Sequence, residues 1–344
     1  MNLVQQVPFG KTGVKVSPII VGCGTFGGKN FGKFVLDEEE KVFEILKECY
    51  DQGIRTFDTA DAYSNGQSER MLGKFLKKYN IKRETVVIMT KCCLPVDEDI
   101  TDGTFGDFFT YKPDSANGVR LANQRGLSRK HIIDAVKNSM ERLGTYIDFF
   151  QIHRFDPDVE MKDTMKTLNW VVEQGYTRYI GASTMRASEF VELQMIADKY
   201  EWFQFSNLQV QYNLLYREDE RELVPFANRH NLAKLAWSPN AGGLLTRPTK
   251  DAKSTTRGSG GELLVPVGDG GEEINKRVEE IAKKHNVSMA IISTAWVLHK
   301  GFYPIVGMNS VKRVQDAVDA TKVQLTEEDI KYLEEPYKPR ELQF

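Results

Sequence analysis

Three apolar runs of this chain each end in an ionisable side chain, at Asp58, Lys91 and His153. Tyr63 follows Asp58 on the next loop. In a (β/α)8 barrel the parallel strands carry the catalytic groups at their carboxyl ends, which share one face. The pattern therefore predicts a barrel enzyme, and Asp58, Tyr63, Lys91 and His153 are its candidate catalytic residues.

The order of the predicted elements supports a parallel barrel, because strand-like and helix-like segments alternate along the chain. Two extended runs at 6–9 and 14–16 predict an opening β-hairpin. Eight further strands are predicted at 19–22, 55–58, 86–91, 148–153, 177–182, 204–208, 233–237 and 303–306. Helices are predicted at 38–51, 68–78, 129–143, 161–174, 187–199, 218–229, 272–285, 290–299, 310–321 and 326–335. Barrels of this kind often exceed about 250 residues, so we expect residues 1–344 to form a single domain.

Two insertions interrupt the alternation, at 96–126 and 248–271. Each follows a predicted strand, the third and the seventh, so both should lie at the face that carries the catalytic groups. Long loops at such a face usually act as lids or specificity elements. The first insertion carries an aromatic group made of Phe105, Phe108, Phe109 and Tyr111.

The composition is that of an ordinary soluble globular protein, with 41% hydrophobic and 27% charged residues among 344. A net charge of −2 provides no basic surface for nucleic acid or for an anionic membrane. No apolar run approaches the length of a membrane span. The four cysteines lack metal-ligand spacing and no secretion signal is present. We therefore expect a cytoplasmic protein with reduced thiols and no metal.

The segment 22–27 matches the GxGxxG fingerprint of dinucleotide-binding folds and follows a predicted strand. That fingerprint requires a helix to begin at once, with its N-terminus facing the pyrophosphate. Here the next residues start a helix poorly, and no helical pattern appears until about Asp37. We therefore expect that any nicotinamide cofactor is bound in another way.

Several ordered segments resemble the signatures of the aldo-keto reductase superfamily. Segment 53–73, with Asp58 and Tyr63, is similar to the first signature, and segment 139–153, ending in His153, is similar to the second. Segments 179–183, 211–215, 237–239 and 304–307 match further landmarks. The stretch 123–128 most resembles fungal members related to aryl-alcohol dehydrogenases. The resemblance covers nearly the whole chain and implies reduction of aldehydes and some ketones.

The four candidate catalytic residues have the chemistry that this reaction requires. Tyr63 would donate a proton to the carbonyl oxygen, and the Lys91 cation would stabilise the phenolate that remains. Asp58 would keep Lys91 charged inside a partly dry cleft. His153 would bind and orient the carbonyl oxygen. These are also the roles that the resemblance implies.

The resemblance also implies a nicotinamide cofactor. Ser183 and Gln209 would bind the carboxamide, and Trp237 would stack on the ring. Ser238 and the backbone near Gly243 would meet the pyrophosphate. The adenosine phosphate would be bound at the start of a late helix by three residues, which favours NADPH (NADP+) over NADH. These residues are Ser310, Lys312 and Arg313.

Two positions depart from many relatives. Thr184 follows the carboxamide serine where asparagine is common, which affects the second amide contact. Gly307 stands where many relatives have a lysine that contacts the 2′-phosphate.

The substrate is expected to be a small-molecule aldehyde or ketone. Phe26, Lys29 and Tyr111 are expected to line the pocket that binds it. The aromatic insertion favours aromatic or bulky carbonyls. No interface signature stands out, which predicts a monomer or a weak homo-oligomer.

Two alternative functions remain open on the sequence. The chain also resembles potassium-channel β-subunits, which would make it a cofactor-binding redox sensor. A Schiff-base aldolase that uses Lys91 at its strand end is a second alternative.

Overall fold

A closed barrel of eight parallel strands forms the centre of the fold, as predicted. The computed structural model describes residues 3–101, 110–254 and 268–343. The barrel strands are β3 (Ile20–Gly22), β4 (Thr56–Asp58), β5 (Val87–Cys92), β6 (Ile147–Ile152), β7 (Thr177–Ser183), β8 (Phe205–Gln211), β9 (Ala233–Trp237) and β10 (Tyr303–Val306). Before them, β1 (Val7–Pro8) and β2 (Lys15–Val16) pair antiparallel and confirm the opening hairpin. Each predicted strand is present to within three residues at its ends.

Helices alternate with the barrel strands. Those that the structure describes are Glu39–Asp51, Gln67–Lys78, Ala116–Leu121, Arg129–Leu143, Met161–Glu173, Ala187–Lys199, Leu223–Arg229, Gly271–His285, Met289–His299, Val311–Ala320 and Glu327–Glu334. Several begin at a serine or threonine whose side-chain oxygen accepts the backbone N–H three residues later, the usual N-cap arrangement. These caps are Ser115, Ser128, Ser288, Ser310 and Thr326.

Two helical segments differ from the prediction. The helix expected at 218–229 is divided into a 3-10 turn, Glu218–Glu220, and the helix Leu223–Arg229. Pro225 explains the division, because proline is tolerated only in the first turn of a helix and so requires the helix to begin close to it. The helix Ala116–Leu121 within the first insertion was not predicted.

The segment that follows β3 is not a dinucleotide-binding turn. It forms two short 3-10 helices, Cys23–Thr25 and Lys29–Phe31, and the first α-helix begins only at Glu39. No α-helix begins directly after these glycines. The rejection of a Rossmann fold is thus confirmed.

Contacts divide the chain into two compact units. The first contains 1–21, 47–54 and 209–344, and the second contains 22–46 and 55–208. In the first unit, Tyr212 stacks between Trp296 and Phe302, with ring centroids 5.2 Å and 4.0 Å away. In the second, residues of β5, β6 and β7 pair in register, so that Lys91 is opposite Gln151 and Gln151 is opposite Gly181.

Two features are absent from residues 3–101, 110–254 and 268–343. None of the described helices combines the length and apolar character needed to cross a membrane. Within the same ranges, no group of three or more His, Cys, Asp or Glu side chains is arranged to bind a metal ion.

Candidate active site

Lys91 is the centre of the candidate site, and its ammonium group has three hydrogen-bonding partners. Nζ donates to Asp58 Oδ1 at 2.5 Å, to the backbone oxygen of Thr59 at 2.8 Å and to the Tyr63 hydroxyl at 3.3 Å. An ammonium has three N–H groups, so these contacts use its full donor capacity. The strands β4 and β5 place Asp58 and Lys91 side by side, and the turn after β4 returns Tyr63 to them.

Lys91 remains a cation although its side chain is completely buried. Burial alone would lower the pKa of Lys91, but attraction to Asp58 and Tyr63 outweighs it, so the net pKa is raised. A buried charge is tolerated when it is paired and hydrogen-bonded in this way. The site therefore holds a fixed positive charge beside the tyrosine hydroxyl.

The ring of Tyr63 is held between an aromatic group and a glycine. Phe31 packs edge-on to it, with ring centroids 6.3 Å apart. A Cβ atom built on Gly24 would lie 3.3 Å from the Tyr63 ring, so the absence of a side chain there allows the ring to approach. Gly24 belongs to the segment that resembled a dinucleotide fingerprint, and this packing gives one of its glycines a different purpose.

His153 completes the group, and its imidazole is neutral. Its ring packs edge-on to Tyr63 with centroids 5.7 Å apart and planes inclined by 80°. Burial, then the neighbouring Arg154 and Lys91 charges, lower the pKa of His153 well below its usual value. Within the described part of the chain, the buried Nδ1 atom has no hydrogen-bonding partner. A neutral imidazole with unused hydrogen-bonding capacity suits the orientation of a carbonyl oxygen.

The structure thus brings together all four candidate catalytic residues. It also shows two buried amides behind them that the sequence analysis missed. Gln151 Nε2 donates to Asp58 Oδ2 at 3.1 Å, and Asn207 Nδ2 donates to Gln151 Oε1 at 2.8 Å. A signal existed, since Gln151 and Asn207 precede His153 and Gln209 by two residues and so share their faces of β6 and β8.

Ser183, a candidate cofactor residue of the second unit, lies at the end of β7 and is buried. Its hydroxyl is 3.3 Å from that of Thr184, whose backbone has a positive φ of 34°. The hydroxyl of Thr184 therefore stands next to Ser183, where many relatives have an amide.

The remaining candidate cofactor residues belong to the first unit. Gln209 is buried on β8, and Trp237 is half-buried at the end of β9. Ser238 has a positive φ of 54°, and its hydroxyl accepts the backbone N–H of Gly242 at 3.0 Å. Gly243 has a φ of 103°, a conformation that favours glycine. The Gly243 N–H donates to the backbone oxygen of Asn240 at 2.9 Å, so the turn uses this donor itself.

The start of the helix Val311–Ala320 has the properties of an anion site. Ser310 caps the helix by accepting the N–H of Arg313 at 3.4 Å, and Lys312 and Arg313 are exposed. Partial desolvation, then repulsion from Arg247, lowers the pKa of Arg313. Two guanidinium groups that repel each other beside a helix N-terminus fit a bound phosphate. Arg247 was not identified from the sequence.

One further amide of β8 was also missed. Gln211 is buried, and neither polar atom of its side chain has a hydrogen-bonding partner in residues 3–101, 110–254 and 268–343. It is on the same face of β8 as Gln209, because side chains two residues apart in a strand point the same way. Unsatisfied buried amides are uncommon and often occur where a ligand supplies the missing partner.

The chain is similar to known proteins over nearly its whole length. Residues 18–338 match the family model described as "Aldo/keto reductase family". The chain is 55% identical to the Saccharomyces cerevisiae protein named "Putative aryl-alcohol dehydrogenase AAD16", over 99% of each chain. It is 52% identical to the Schizosaccharomyces pombe protein named "Putative aryl-alcohol dehydrogenase C977.14c", over 97% of this chain and 96% of that one. It is 45% identical to the versiconal hemiacetal acetate reductase of Aspergillus parasiticus, over 98% of each chain.

The chain belongs to the aldo/keto reductase family. The predicted resemblance, including the likeness to fungal aryl-alcohol dehydrogenase-like members, is confirmed. Membership makes this chain an oxidoreductase of a family that acts on small-molecule carbonyl compounds.

Three residues were predicted to contact the substrate of this aldo/keto reductase. Phe26 is almost completely buried, whereas the Lys29 side chain is exposed and forms an ion pair with Asp37 at 2.7 Å. Tyr111 is half-buried and packs against Ile100 and Leu121. Phe105, Phe108 and Phe109 lie outside the described residues.

Proposed function

We propose that this protein is an NADPH-dependent reductase that converts aldehydes and some ketones into alcohols. The observation that carries the proposal is the Lys91 ammonium, which binds Asp58 at 2.5 Å and the Tyr63 hydroxyl at 3.3 Å inside a buried site. A tyrosine hydroxyl that accepts from a lysine ammonium next to a neutral imidazole is a proton donor beside a hydrogen-bonding group, as carbonyl reduction requires.

Each of the four residues has one task in the proposed mechanism. NADPH, when bound, supplies the hydride that reduces the carbonyl carbon. Tyr63 donates the proton to the carbonyl oxygen, and Lys91 stabilises the phenolate that this leaves. Asp58 accepts from Lys91 and compensates its burial. His153 orients the carbonyl oxygen towards the Tyr63 hydroxyl.

The choice of NADPH is supported by residues of the first unit. Arg247 and Arg313 carry guanidinium groups close enough for mutual repulsion, and Ser310 caps the helix that begins beside them. A 2′-phosphate would relieve that repulsion. Gly307 lacks the lysine that many relatives use here, so Arg247 and Arg313 would supply the charge instead.

The proposed substrates are aromatic or otherwise bulky carbonyl compounds. Two relatives are named for aryl-alcohol dehydrogenation and a third for reduction of versiconal hemiacetal acetate. Tyr111, which packs on Ile100 and Leu121 after β5, would supply part of an aromatic wall.

The proposal is tested by following oxidation of NADPH, and in parallel NADH, by the purified protein with a panel of aromatic and aliphatic aldehydes and ketones. We expect loss of NADPH with formation of the alcohol, fastest for aromatic substrates. Tight binding of NADPH with negligible turnover across the panel would reject the reductase and favour a cofactor-binding redox sensor.

Substitution of Tyr63 by Phe tests the proton donor. General acid catalysis contributes roughly 10²- to 10⁴-fold to rates, so kcat should fall by at least about 100-fold. The Kd of NADPH, measured by quenching of protein fluorescence, should stay within about twofold because the ring remains. Full activity of Tyr63→Phe would show that another group donates the proton.

Substitution of Arg313 by Ala tests the phosphate contact. Hydrogen bonds to charged groups contribute about 1.5–3 kcal/mol, so the Kd of NADPH should rise roughly 10- to 100-fold. The Kd of NADH should change much less. Lys322→Ala, an exposed cation bound to Asp319 after the other end of the same helix, is the matched control. Equal losses of affinity for both cofactors would contradict a 2′-phosphate contact.

A further inference from the structure

We propose that Gln151 and Asn207 are positioning residues that orient Asp58, and through it Lys91, and that Gly181 provides the space they occupy. The inference rests on the proposed reductase function, since its readout is turnover. The two amides lie on the Oδ2 side of Asp58, whereas Lys91 binds Oδ1.

The two carboxylate oxygens of Asp58 have different partners. Oδ1 accepts from Lys91 at 2.5 Å, whereas Oδ2 accepts from Gln151 Nε2 at 3.1 Å. Both side chains that meet Asp58 here are completely buried. A carboxylate bound at both oxygens has its rotation about χ2 fixed, so Gln151 decides which way Oδ1 faces Lys91.

The direction of these hydrogen bonds is set by the carboxylate of Asp58. The carboxylate of Asp58 can only accept, so Gln151 must present its NH2 group to it. The Gln151 oxygen then faces Asn207, which must donate in turn, and Asn207 Nδ2 does so at 2.8 Å. The charge on Asp58 therefore sets the orientation of both amides, and Asn207 prevents Gln151 from turning its oxygen towards Asp58.

The absence of a side chain at Gly181 provides the space for Asn207. A Cβ atom built on Gly181 would lie 2.2 Å from Asn207 Oδ1, a distance that no side chain tolerates. Asn207 Oδ1 is buried and has no hydrogen-bonding partner among the residues that the structure describes. The position of Asn207 is therefore fixed by the hydrogen bond that it donates to Gln151 and by contact with Gly181. The unsatisfied Oδ1 acceptor lowers the stability of the fold at this point.

Strand register explains why these residues meet. Lys91 of β5 is opposite Gln151 of β6, and Gln151 is opposite Gly181 of β7. Paired residues of neighbouring strands point to the same face, so the lysine, the amide and the glycine occupy one row. The row connects Lys91 on β5, through β6, to Gly181 on β7.

A purely structural role for the two amides makes a different prediction, because loss of a buried hydrogen bond would then lower stability alone. Gln194 is the matched control. It is also nearly buried, and its amide forms two hydrogen bonds with the backbone of Phe205, at 2.7 Å and 3.1 Å. It has no contact with Asp58 among the hydrogen bonds of the described residues.

The experiment compares Gln151→Met with Gln194→Met in the aldehyde assay, with thermal unfolding measured for both. Methionine keeps the volume and removes the amide. We expect kcat to fall about tenfold in Gln151→Met, with the Kd of NADPH and the KM of the aldehyde within twofold of wild type. Gln194→Met should lower the melting temperature and leave kcat within twofold. Equal changes of kcat in the two variants would overturn the proposal.

Action through Asp58 is tested by repeating Gln151→Met in an Asp58→Asn background. There the carboxylate is absent, so Gln151→Met should change the residual kcat by less than twofold. A full tenfold loss in that background would overturn the proposal. Should Gln151→Met not fold, Asn207→Asp replaces it, because an aspartate of the same shape cannot donate to Gln151 when ionised, and the same tenfold loss is expected.

Failure of this inference is distinguishable from failure of the reductase function. A folded wild-type protein that reduces no carbonyl compound would remove both. An active wild-type protein whose Gln151→Met variant retains full kcat would remove the positioning role alone.

Discussion

Two buried ion pairs lie in the second unit, and they differ in what surrounds them. Lys91 and Asp58 are 2.5 Å apart, and their side chains are 0% and 2% exposed. Arg142 and Glu69 are 2.6 Å apart, and their side chains are 4% and 0% exposed. The first pair joins two barrel strands, and the second joins the helices Gln67–Lys78 and Arg129–Leu143.

The Glu69–Arg142 pair is bound on every side by structural groups. Glu69 accepts from Thr90 Oγ1 at 2.5 Å, and Arg142 donates to Ser139 Oγ at 3.3 Å. Glu98 lies 3.6 Å from the same guanidinium. Burial alone would lower the pKa of Arg142, but Glu69 and Asp61 raise it. The pair joins two helices to each other, and Glu69 also binds Thr90 of β5.

The Asp58–Lys91 pair differs because Lys91 also donates a hydrogen bond to the hydroxyl of Tyr63. That ring is half-buried, and the neighbouring His153 retains an unpartnered nitrogen. Distance and burial of an ion pair therefore do not identify an active site. The informative feature is a buried charge that binds a half-exposed reactive group, with an unsatisfied hydrogen-bonding group beside that reactive group.

The largest expected effect comes from removing the cation of each pair. Breaking a buried pair from one side costs about 3–5 kcal/mol of stability, so Lys91→Met and Arg142→Met should both lower the free energy of unfolding by about that amount. Only Lys91→Met should also lower kcat by at least about 100-fold, since it removes the charge beside Tyr63. Urea unfolding and the aldehyde assay of the folded fraction measure the two quantities.

A control separates charge removal from a change in shape. The double variant Glu69→Gln with Arg142→Met removes both charges of the pair, and much of the lost stability should return. If Arg142→Met lowered kcat as strongly as Lys91→Met does, the distinction between a structural pair and a functional pair would be wrong.

The sequence predicted the fold well because its signals are local. Apolar runs with turn residues at their ends located every barrel strand to within three residues. The division of the helix at 218–229 was missed although Pro225 was visible, since the pattern of apolar residues continues across it. The helix Ala116–Leu121 was missed because the insertion around it has no periodic apolar face.

The four candidate catalytic residues were predicted because each follows an apolar run and falls within a family signature. Gln151 and Asn207 could not be assigned in the same way. Their position on the inner face follows from alternation, but their partner depends on the register of β5 to β7, which is a property of the closed barrel. Arg247 was missed for a similar reason, because its effect on Arg313 joins segments that are far apart in sequence.

Asp61 is the third buried carboxylate near these pairs, and it lacks a cation of its own. Its side chain is 1% exposed, and neither carboxylate oxygen has a side-chain hydrogen-bonding partner among the described residues. Burial, then repulsion from Glu69, raises the pKa of Asp61 well above 3.8, although Arg142 and Lys91 act in the opposite direction. It therefore shows what a buried carboxylate does when it is not paired.

Asp61 is expected to make the stability of the fold depend on pH. A carboxyl whose folded pKa is raised makes no contribution below its unfolded pKa, near 3.8, and destabilises the fold increasingly as pH rises from there to the folded pKa. Relative to Asp61→Asn, the wild type should therefore lose about 1.4 kcal/mol per pH unit within that window and then level off. Urea unfolding of both proteins between pH 4.5 and about 8 measures the difference.

Asp329→Asn is the control of opposite sign. Burial alone would raise the pKa of Asp329, but hydrogen bonds from Lys284 and His285 lower it to about 2. Its stabilising contribution is complete above pH 3.8 and is lost as pH falls through about 2, so this variant should differ from wild type by a constant amount over the window in which Asp61→Asn diverges. Parallel curves for wild type and Asp61→Asn would mean that Asp61 finds a partner in solution, and the contrast between paired and unpaired buried carboxylates would then fail.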